Sequence, residues 1–186
     1  MCLSSTLPSS YRTWRRRRQW ASNGFAAIAF GSTGCEIELI IFIGLPAAGK
    51  TSFFGKRFAA THAHVSKDLM PRAARDKQAQ QMAQLERALA AGTSVVVDNT
   101  NPRSADRAVL VEIGHRHGAR VVAYFFEPRI ADSIKRNAER TPQVPKVAIF
   151  TAAKRLQPPA FEEGFDEIHD VRIATGGGFS VVQRAR

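Results

Sequence analysis

The sequence predicts an α/β fold, namely a three-layer sandwich with a parallel five-stranded sheet and a small helical lid. Three observations predict it. Apolar strand patterns alternate with helical patterns from residue 37 onward, a glycine-rich loop separates the first strand from the first helix, and an acid follows each of the next two strands. Right-handed crossovers through helices make such a sheet parallel and cover both of its faces.

The strands are predicted from short apolar or β-branched runs. The first strand stands directly before the glycine-rich loop, and the third contains three consecutive valines, as suits a strand that is buried on both faces. The second is short and is closed by Lys67 and Asp68. The predicted strands are residues 37–43, 64–66, 94–98, 120–126 and 166–173.

The helices are predicted from apolar spacing and from their end signals. In the second helix Met82, Leu85 and Leu89 recur at helical spacing. Pro71 suits its first turn, and Gly92 ends it. The predicted helices are residues 50–60, 71–91, 104–117, 130–140 and 146–156.

Length and composition predict one folded domain with flexible ends. The 186 residues are 44% hydrophobic and 23% charged, which is ordinary for a globular protein. The formal net charge of +11 suits a polyanionic substrate, either a nucleotide or a nucleic acid. We expect a disordered or poorly packed basic extension over residues 1–35, a folded domain over 36–175 with its lid at about 134–158, and a flexible tail over 176–186.

Cysteine content favours a cytoplasmic protein, and hydropathy predicts no membrane association. No obligate protein partner is evident from the sequence. Cys2 and Cys35 lie outside the part that is expected to fold, so no disulfide framework is predicted. No apolar run has the length of a membrane span. Residues 15–35 loosely resemble an export signal, the alternative interpretation, but their apolar stretch is short and interrupted.

The glycine-rich loop predicts a phosphate site for ATP or GTP. Residues 44–51 fit the pattern G-x-x-x-x-G-K-[ST] between a strand and a helix, so the fold is of the P-loop NTPase class. Backbone N–H groups of such a loop converge on phosphates at the positive end of the helix. Lys50 would reach the β- and γ-phosphates, and the Thr51 hydroxyl would bind Mg²⁺. The predicted nucleotide-binding residues are Gly44, Leu45, Pro46, Ala47, Ala48, Gly49, Lys50, Thr51 and Ser52.

Two acids at strand ends are predicted to complete the site. Asp98 ends the third strand, where a carboxylate holds Mg²⁺ directly or through water, and turn capping is its alternative role. Asp68 ends the second strand, where it would accept the proton of an attacking hydroxyl. The alternative for Asp68 is to cap the helix near Pro71. For Asn101, a functional role and turn capping stay equally open.

A basic stretch after the fourth strand predicts the lid. Arg136 and Arg140 are four residues apart and share one helix face, from which they would close over the triphosphate and neutralise the transferring group. The alternative is an exposed basic helix face, which is preferred for Lys135.

In their order along the chain, these motifs resemble the kinase domain of polynucleotide 5′-hydroxyl kinases, as in the phage and animal end-healing enzymes. The resemblance covers about residues 38–173. It is carried by the loop at 44–51, Ser-Lys-Asp at 66–68, Asp-Asn-Thr-Asn-Pro at 98–102, Lys-Arg-Asn-Ala-Glu-Arg at 135–140, Val-Pro at 144–145 and Phe-Glu-Glu-Gly-Phe at 161–165.

The resemblance implies ATP-dependent phosphorylation of a 5′-OH end by a P-loop kinase domain. It implies that Asp68 is the general base, that Asp98 supports the site, and that Lys50, Thr51 and the two lid arginines act on the phosphates. It also implies an arginine shortly after the general base for the phosphate of the acceptor. Pro71 stands at the phage spacing, so Arg72 or Arg75 would have to substitute.

Two other functions stay open from the sequence. A small-molecule kinase acting on a sugar, a nucleoside, an antibiotic or a cell-wall precursor would share every residue named above except a nucleic-acid groove. A regulatory nucleotide-binding module would bind ATP and transfer nothing. The acid at residue 68 and the lid arginines argue against the regulatory module.

Overall fold

A computed structural model of the protein describes residues 36–71, 73–174 and 176–186. The predictions for residues 1–35 lie outside the described residues. The strands are β1 (Glu38–Ile43), β2 (Ala63–Val65), β3 (Val95–Val97), β4 (Arg120–Phe126), β5 (Glu167–Ile173) and β6 (Phe179–Gln183). The helices are α1 (Lys50–Arg57), α2 (Lys77–Ala90), α3 (Ser104–Arg116), α4 (Ile130–Ala138) and α5 (Lys146–Arg155). In the described part of the chain, no helix is both long enough and apolar enough to span a bilayer.

The sheet has the strand order β2-β3-β1-β4-β5-β6, so β1 lies inside it with β3 and β4 as its neighbours. The first five strands are parallel, and β6 pairs with β5 in the antiparallel sense. Ile41 stands in register with both Val97 and Ala123. The carboxyl ends of β1 and β3 therefore meet at one edge of the sheet, which is where α/β folds place their ligands.

Helices and loops cover both faces of the sheet, as the three-layer prediction requires. Alternate residues of β1 enter two separate apolar clusters: Leu39 and Ile41 pack in one, and Ile40 and Phe42 pack in the other. Phe42 contacts the ring of Phe53 on α1 at a centroid distance of 5.8 Å. Because both faces are buried, β1 is an almost unbroken apolar run and not an alternating one.

The prediction of five strands and a flexible tail is wrong for residues 179–183, which form β6. Gly176 and Gly177 have φ of 97° and 82° and help to turn the chain back from β5, a conformation that glycine adopts without strain. Phe179 and Val181 then pack against one of the two apolar clusters. The glycine run therefore marks a hairpin turn within the fold.

The second helix begins later than the sequence predicts. The predicted start was residue 71, but α2 begins at Lys77 because Asp76 caps it and accepts a hydrogen bond from the Ala79 N–H at 2.9 Å. Asp68 lies in a short 3-10 turn, Lys67–Leu69, that is capped by Ser66. The alternative role of Asp68 as the cap of this helix is therefore wrong.

Arg107 on α3 is fully buried and holds two segments together. Its guanidinium donates to both carboxylate oxygens of Glu163 at 2.7 and 2.6 Å. A further nitrogen donates to the backbone carbonyls of Asn101 and Gln157 at 3.0 and 3.1 Å. The Phe-Glu-Glu-Gly-Phe motif therefore anchors the loop that follows β3.

We predict that Glu163→Ala lowers the free energy of unfolding by about 3 kcal/mol or more, since it leaves a buried guanidinium without its counter-ion. Urea denaturation measures this effect. Glu162→Ala is the matched control, because Glu162 is the exposed neighbour and its loss should change stability by less than about 0.5 kcal/mol. Equal effects of the two substitutions would contradict the anchoring role of Arg107.

Candidate active site

The glycine-rich loop connects β1 to α1 through backbone conformations that suit a phosphate cradle. Gly49, which directly precedes α1, has φ of 88°. A Cβ added at Gly44 would lie 2.8 Å from the Cβ of Phe126, so a side chain at this position requires the loop to move. The Gly44 N–H donates to the carbonyl of Thr100 at 3.1 Å. The loop is therefore fixed against β4 and against the segment that follows β3.

Lys50 begins α1 and folds back over the loop. It is 8% exposed, and its Nζ donates to the carbonyls of Gly44 at 3.2 Å and Leu45 at 2.7 Å. Burial lowers the pKa of Lys50 to about 8, although the charges of Asp98 and Asp68 oppose that shift. A buried ammonium is stabilised by an anion, and the cradle places it where a bound phosphate would supply one.

Asp98 lies just beyond β3, is 5% exposed, and meets the first turn of α1. The Thr51 hydroxyl donates to Asp98 Oδ2 at 2.7 Å. The structure therefore brings together the two residues that were predicted as magnesium ligands. A carboxylate and a hydroxyl beside a phosphate loop are hard oxygen donors of the kind that Mg²⁺ takes from proteins, together with phosphates and water.

His64 is a member of the site that sequence reasoning missed. Its Nε2 lies 3.1 Å from Asp98 Oδ2, and its ring stacks on Phe54 of α1 at a centroid distance of 4.0 Å. No sequence motif includes it. The strand register could have identified His64 as a neighbour of Asp98. Strand β2 runs parallel to β3, and His64 pairs with Val96, two residues before Asp98.

Asp68 lies in the 3-10 turn that follows β2, and the turn is tied to its surroundings by two hydrogen bonds. The Asp68 N–H donates to Ser66 Oγ at 3.3 Å, and the Lys67 N–H donates to Asn99 Oδ1 at 3.2 Å. The Asp68 side chain is exposed and lines the same cleft as Lys50, and its charge partly opposes the fall in the pKa of that lysine. The predicted base and the predicted phosphate lysine therefore face one cleft.

The segment that was predicted as the lid contacts the glycine-rich loop through Arg136. Arg136 Nε donates to the carbonyl of Ala47 at 2.8 Å, and Arg140 is exposed on the cleft wall. Asn137, which was not singled out from the sequence, holds the lid loop: its amide exchanges hydrogen bonds with the backbone of Val144 at 2.7 and 2.9 Å. Lys135 is exposed and is not among the residues that line the cleft, as its alternative role predicts.

The cleft between these elements has a volume of about 870 Å³, which falls in the range of small-molecule and cofactor sites. Gly44 and Leu45 do not line it, but their carbonyls accept hydrogen bonds from Lys50. The predicted site residues that line it are Pro46, Ala47, Ala48, Gly49, Lys50, Thr51, Ser52, Asp68, Asp98, Arg136 and Arg140.

Three further residues that the sequence singled out have other roles or positions. Asn101 also lines the cleft, but it is buried with φ of 42°, and its amide donates to the Phe42 carbonyl at 2.8 Å, so it ties the loop after β3 to β1. Arg75 is exposed and does not line the cleft. Arg72, the other arginine that was considered for the acceptor, lies outside the described residues.

Two curated relatives match the chain over 72% of its length. One is named as a bifunctional polynucleotide phosphatase/kinase of Acanthamoeba polyphaga mimivirus and is 28% identical over 144 residues. The other is the bifunctional polynucleotide phosphatase/kinase of Schizosaccharomyces pombe, 25% identical over 140 residues. The chain covers 33% of each relative, so it corresponds to about a third of their length.

Solved structures share the fold at low sequence identity. A fungal RNA kinase aligns with a TM-score of 0.56 and 17% identity, over 73% of this chain and 38% of that one. A gluconokinase from Sinorhizobium meliloti aligns with a TM-score of 0.54 and 20% identity, over 74% of this chain and 83% of that one. These likenesses confirm the predicted P-loop kinase-like α/β fold, with one strand more than predicted.

A family model also matches most of the described chain. The AAA domain family AAA_33 matches residues 39–159, more than half of the chain, and the match contains the glycine-rich loop, both acids and the lid arginines. The predicted resemblance to polynucleotide kinases is confirmed by the two relatives that carry this name. The chain belongs to the AAA_33 family of AAA domains and has a P-loop kinase-like α/β fold.

Proposed function

We propose that this protein transfers the γ-phosphoryl group of ATP to a hydroxyl, and that the acceptor is the 5′-OH end of a nucleic acid. The observation that carries the proposal is the shared cleft: the phosphate-loop lysine and an exposed carboxylate line it together, and the Thr51–Asp98 pair lines it too. A phosphate loop alone would serve any nucleotide-binding protein. The additional acid supplies a group that accepts a proton from an incoming alcohol.

Nucleotide binding is the first step. The loop N–H groups and Lys50 would hold the β- and γ-phosphates, which add negative charge beside the buried ammonium to that of Asp98 and Asp68. Thr51 and Asp98 would hold Mg²⁺, which neutralises charge on the β- and γ-oxygens when it is bound. In this arrangement the γ-phosphate would face the cleft, where an acceptor hydroxyl would attack it.

The transfer step needs one proton acceptor and in-line geometry. Asp68 takes the proton of the acceptor hydroxyl, the hydroxyl oxygen forms a bond to the γ-phosphorus, and the bond from that phosphorus to the β–γ bridging oxygen breaks. ADP leaves with that oxygen, and the acceptor becomes a phosphomonoester. Arg136 and Arg140 neutralise charge on the transferring group from the lid side.

The assignment of the acceptor rests on the relatives and on charge. Both curated relatives carry polynucleotide kinase in their names, and the net charge of +11 suits a polyanion. A small-molecule acceptor is the alternative, and the gluconokinase of similar fold gives it support at the level of the fold.

The acceptor is tested by transfer of labelled γ-phosphate from ATP to a panel of 5′-OH RNA, 5′-OH DNA, nucleosides and sugars. The proposal predicts label on the oligonucleotides, with a KM that rises steeply with salt because phosphate contacts release counter-ions. Label on a sugar or a nucleoside alone would favour the small-molecule kinase. Label on nothing would favour the regulatory module.

The magnesium site gives a separate prediction. Thr51→Val removes the hydroxyl and keeps the shape, so we expect the Mg²⁺ concentration for half-maximal activity to rise by about tenfold or more. Thr51→Ser keeps the hydroxyl and is the matched control, for which the Mg²⁺ requirement should stay close to that of the wild type. An unchanged requirement in Thr51→Val would remove Thr51 from the metal site.

A further inference from the structure

Gln81 is a buried polar residue of the cleft that the proposed reaction does not use. It is 1% exposed, it lines the cleft, and its Nε2 has no hydrogen-bond partner among the described residues. Buried amide donors are nearly always paired, because an unpaired donor costs stability. An exception at the wall of an active-site cleft therefore needs an explanation.

Helix packing does not explain the glutamine. Gln81, Leu85 and Leu89 are spaced by four residues on α2, so they share one face, and both leucines are buried in the core. A leucine or methionine at position 81 would continue this apolar stripe without an unpaired polar atom. The fold would be served at least as well by an apolar residue, so the amide points to a ligand.

The surroundings of Gln81 indicate which ligand. Helix α2 contacts the 3-10 turn that carries Asp68, and it also contacts α3. From α3, Val109 and Leu110 line the cleft together with Ala105 and Asp106, and Val109 is 47% exposed. The carboxylate of Asp106 is engaged by Arg103. The charged phosphate-binding groups belong to other elements, α1 and the lid. Gln81 therefore offers a neutral donor on the general-base side, where the acceptor has to enter.

We propose that Gln81 binds the acceptor, with Nε2 donating a hydrogen bond to an uncharged oxygen or ring nitrogen near the hydroxyl that is phosphorylated. This inference rests on the proposed function, since it assigns a residue to the acceptor of that reaction. The donor is left unpaired in the free protein and becomes paired when the acceptor binds. Apolar contact with Val109 and Leu110 fits the flat or hydrocarbon part of the same molecule.

Gln81→Met tests the inference because it removes the donor and keeps the length of the side chain. With the acceptor that the wild type uses in the panel, we expect the acceptor KM to rise about tenfold, as for one lost hydrogen bond, while kcat and the KM for ATP stay within about twofold. In the free protein, we expect Tm to rise by about 2 to 4 °C, because the unpaired donor is gone.

Gln84→Met is the matched control, since Gln84 is exposed on the same helix and does not line the cleft. Both KM values and Tm should stay at their wild-type values in this variant. Gln81→Leu, which matches the neighbouring leucines of the stripe, repeats the test in case methionine repacks the site.

The outcomes are distinct. An active wild type with an unchanged acceptor KM in both Gln81 variants overturns the role of Gln81 and leaves the proposed function standing. A lower Tm together with equal rises in both KM values shows that Gln81 supports the fold, and it also overturns the inference. A wild type that phosphorylates no member of the panel overturns the proposed function itself.

Discussion

Replacing Asp68 by Asn is expected to lower kcat for phosphoryl transfer by about 10²- to 10⁴-fold, the usual contribution of a general base. The amide keeps the size of the side chain but accepts no proton from the incoming hydroxyl. Binding of ATP should persist, because Lys50 and the glycine-rich loop are unchanged. The measurement is kcat with a saturating acceptor, together with the Kd of a non-hydrolysable ATP analogue.

Asp132→Asn is the matched control for this prediction. Asp132 is a partly exposed acid on α4 that does not line the cleft, so its loss removes one negative charge and no site group. A similar fall of kcat in both variants would point to general electrostatics. Full activity of Asp68→Asn would exclude Asp68 as the base.

Lys50→Met is expected to abolish transfer and to remove a pH dependence of ATP binding. In the wild type, burial lowers the pKa of Lys50 to about 8. Above that pH the free protein holds a neutral amine, so ATP must bring a proton with it and its affinity should fall as pH rises from 8. A titration of Kd for the ATP analogue between pH 7 and 10 measures this fall. Lys50→Met should bind weakly across the range and show a smaller slope.

The same shift in the pKa of Lys50 also predicts how the stability of the free protein changes with pH. Between pH 8 and 10.5 the unfolded lysine keeps its proton while the folded one loses it. The unfolded state therefore binds more protons, and the free energy of unfolding rises with pH in this window. Between pH 8 and 10.5, the free energy of unfolding of the wild type should rise by roughly 3 kcal/mol relative to that of Lys50→Met. Urea denaturation at several pH values tests this, and a constant difference between the two proteins would contradict a buried Lys50.

Residues that depend on local patterns were predictable from the sequence. The glycine-rich loop was predictable because its glycines and its lysine have a fixed spacing in the sequence. That spacing also places Lys50 in the first turn of α1. Asp98 was predictable because a parallel sheet brings the ends of neighbouring strands to one edge. β4 was predicted with its observed bounds, since the run at 120–126 is bracketed by Gly118 and Pro128.

Residues that depend on tertiary contacts were not predictable. His64 meets Asp98 only because of the pairing between β2 and β3. β6 followed a glycine run that looks like a flexible end, and its apolar partners are distant in sequence. Gln81 was indistinguishable from the other glutamines of α2 until the structure showed it buried at the cleft. In each case the position of the residue depends on contacts between segments that are distant in the sequence.

A single-turnover assay tests the central claim most directly. The protein, bound to ATP with labelled γ-phosphate and Mg²⁺, is mixed with a 5′-OH oligonucleotide, and the label is followed for the wild type and for Asp68→Asn. The account predicts that the label arrives on the 5′ oxygen in the wild type and stays on ATP in the variant, which still binds the nucleotide. Label that appears only as inorganic phosphate, at the same rate in both proteins, would contradict it.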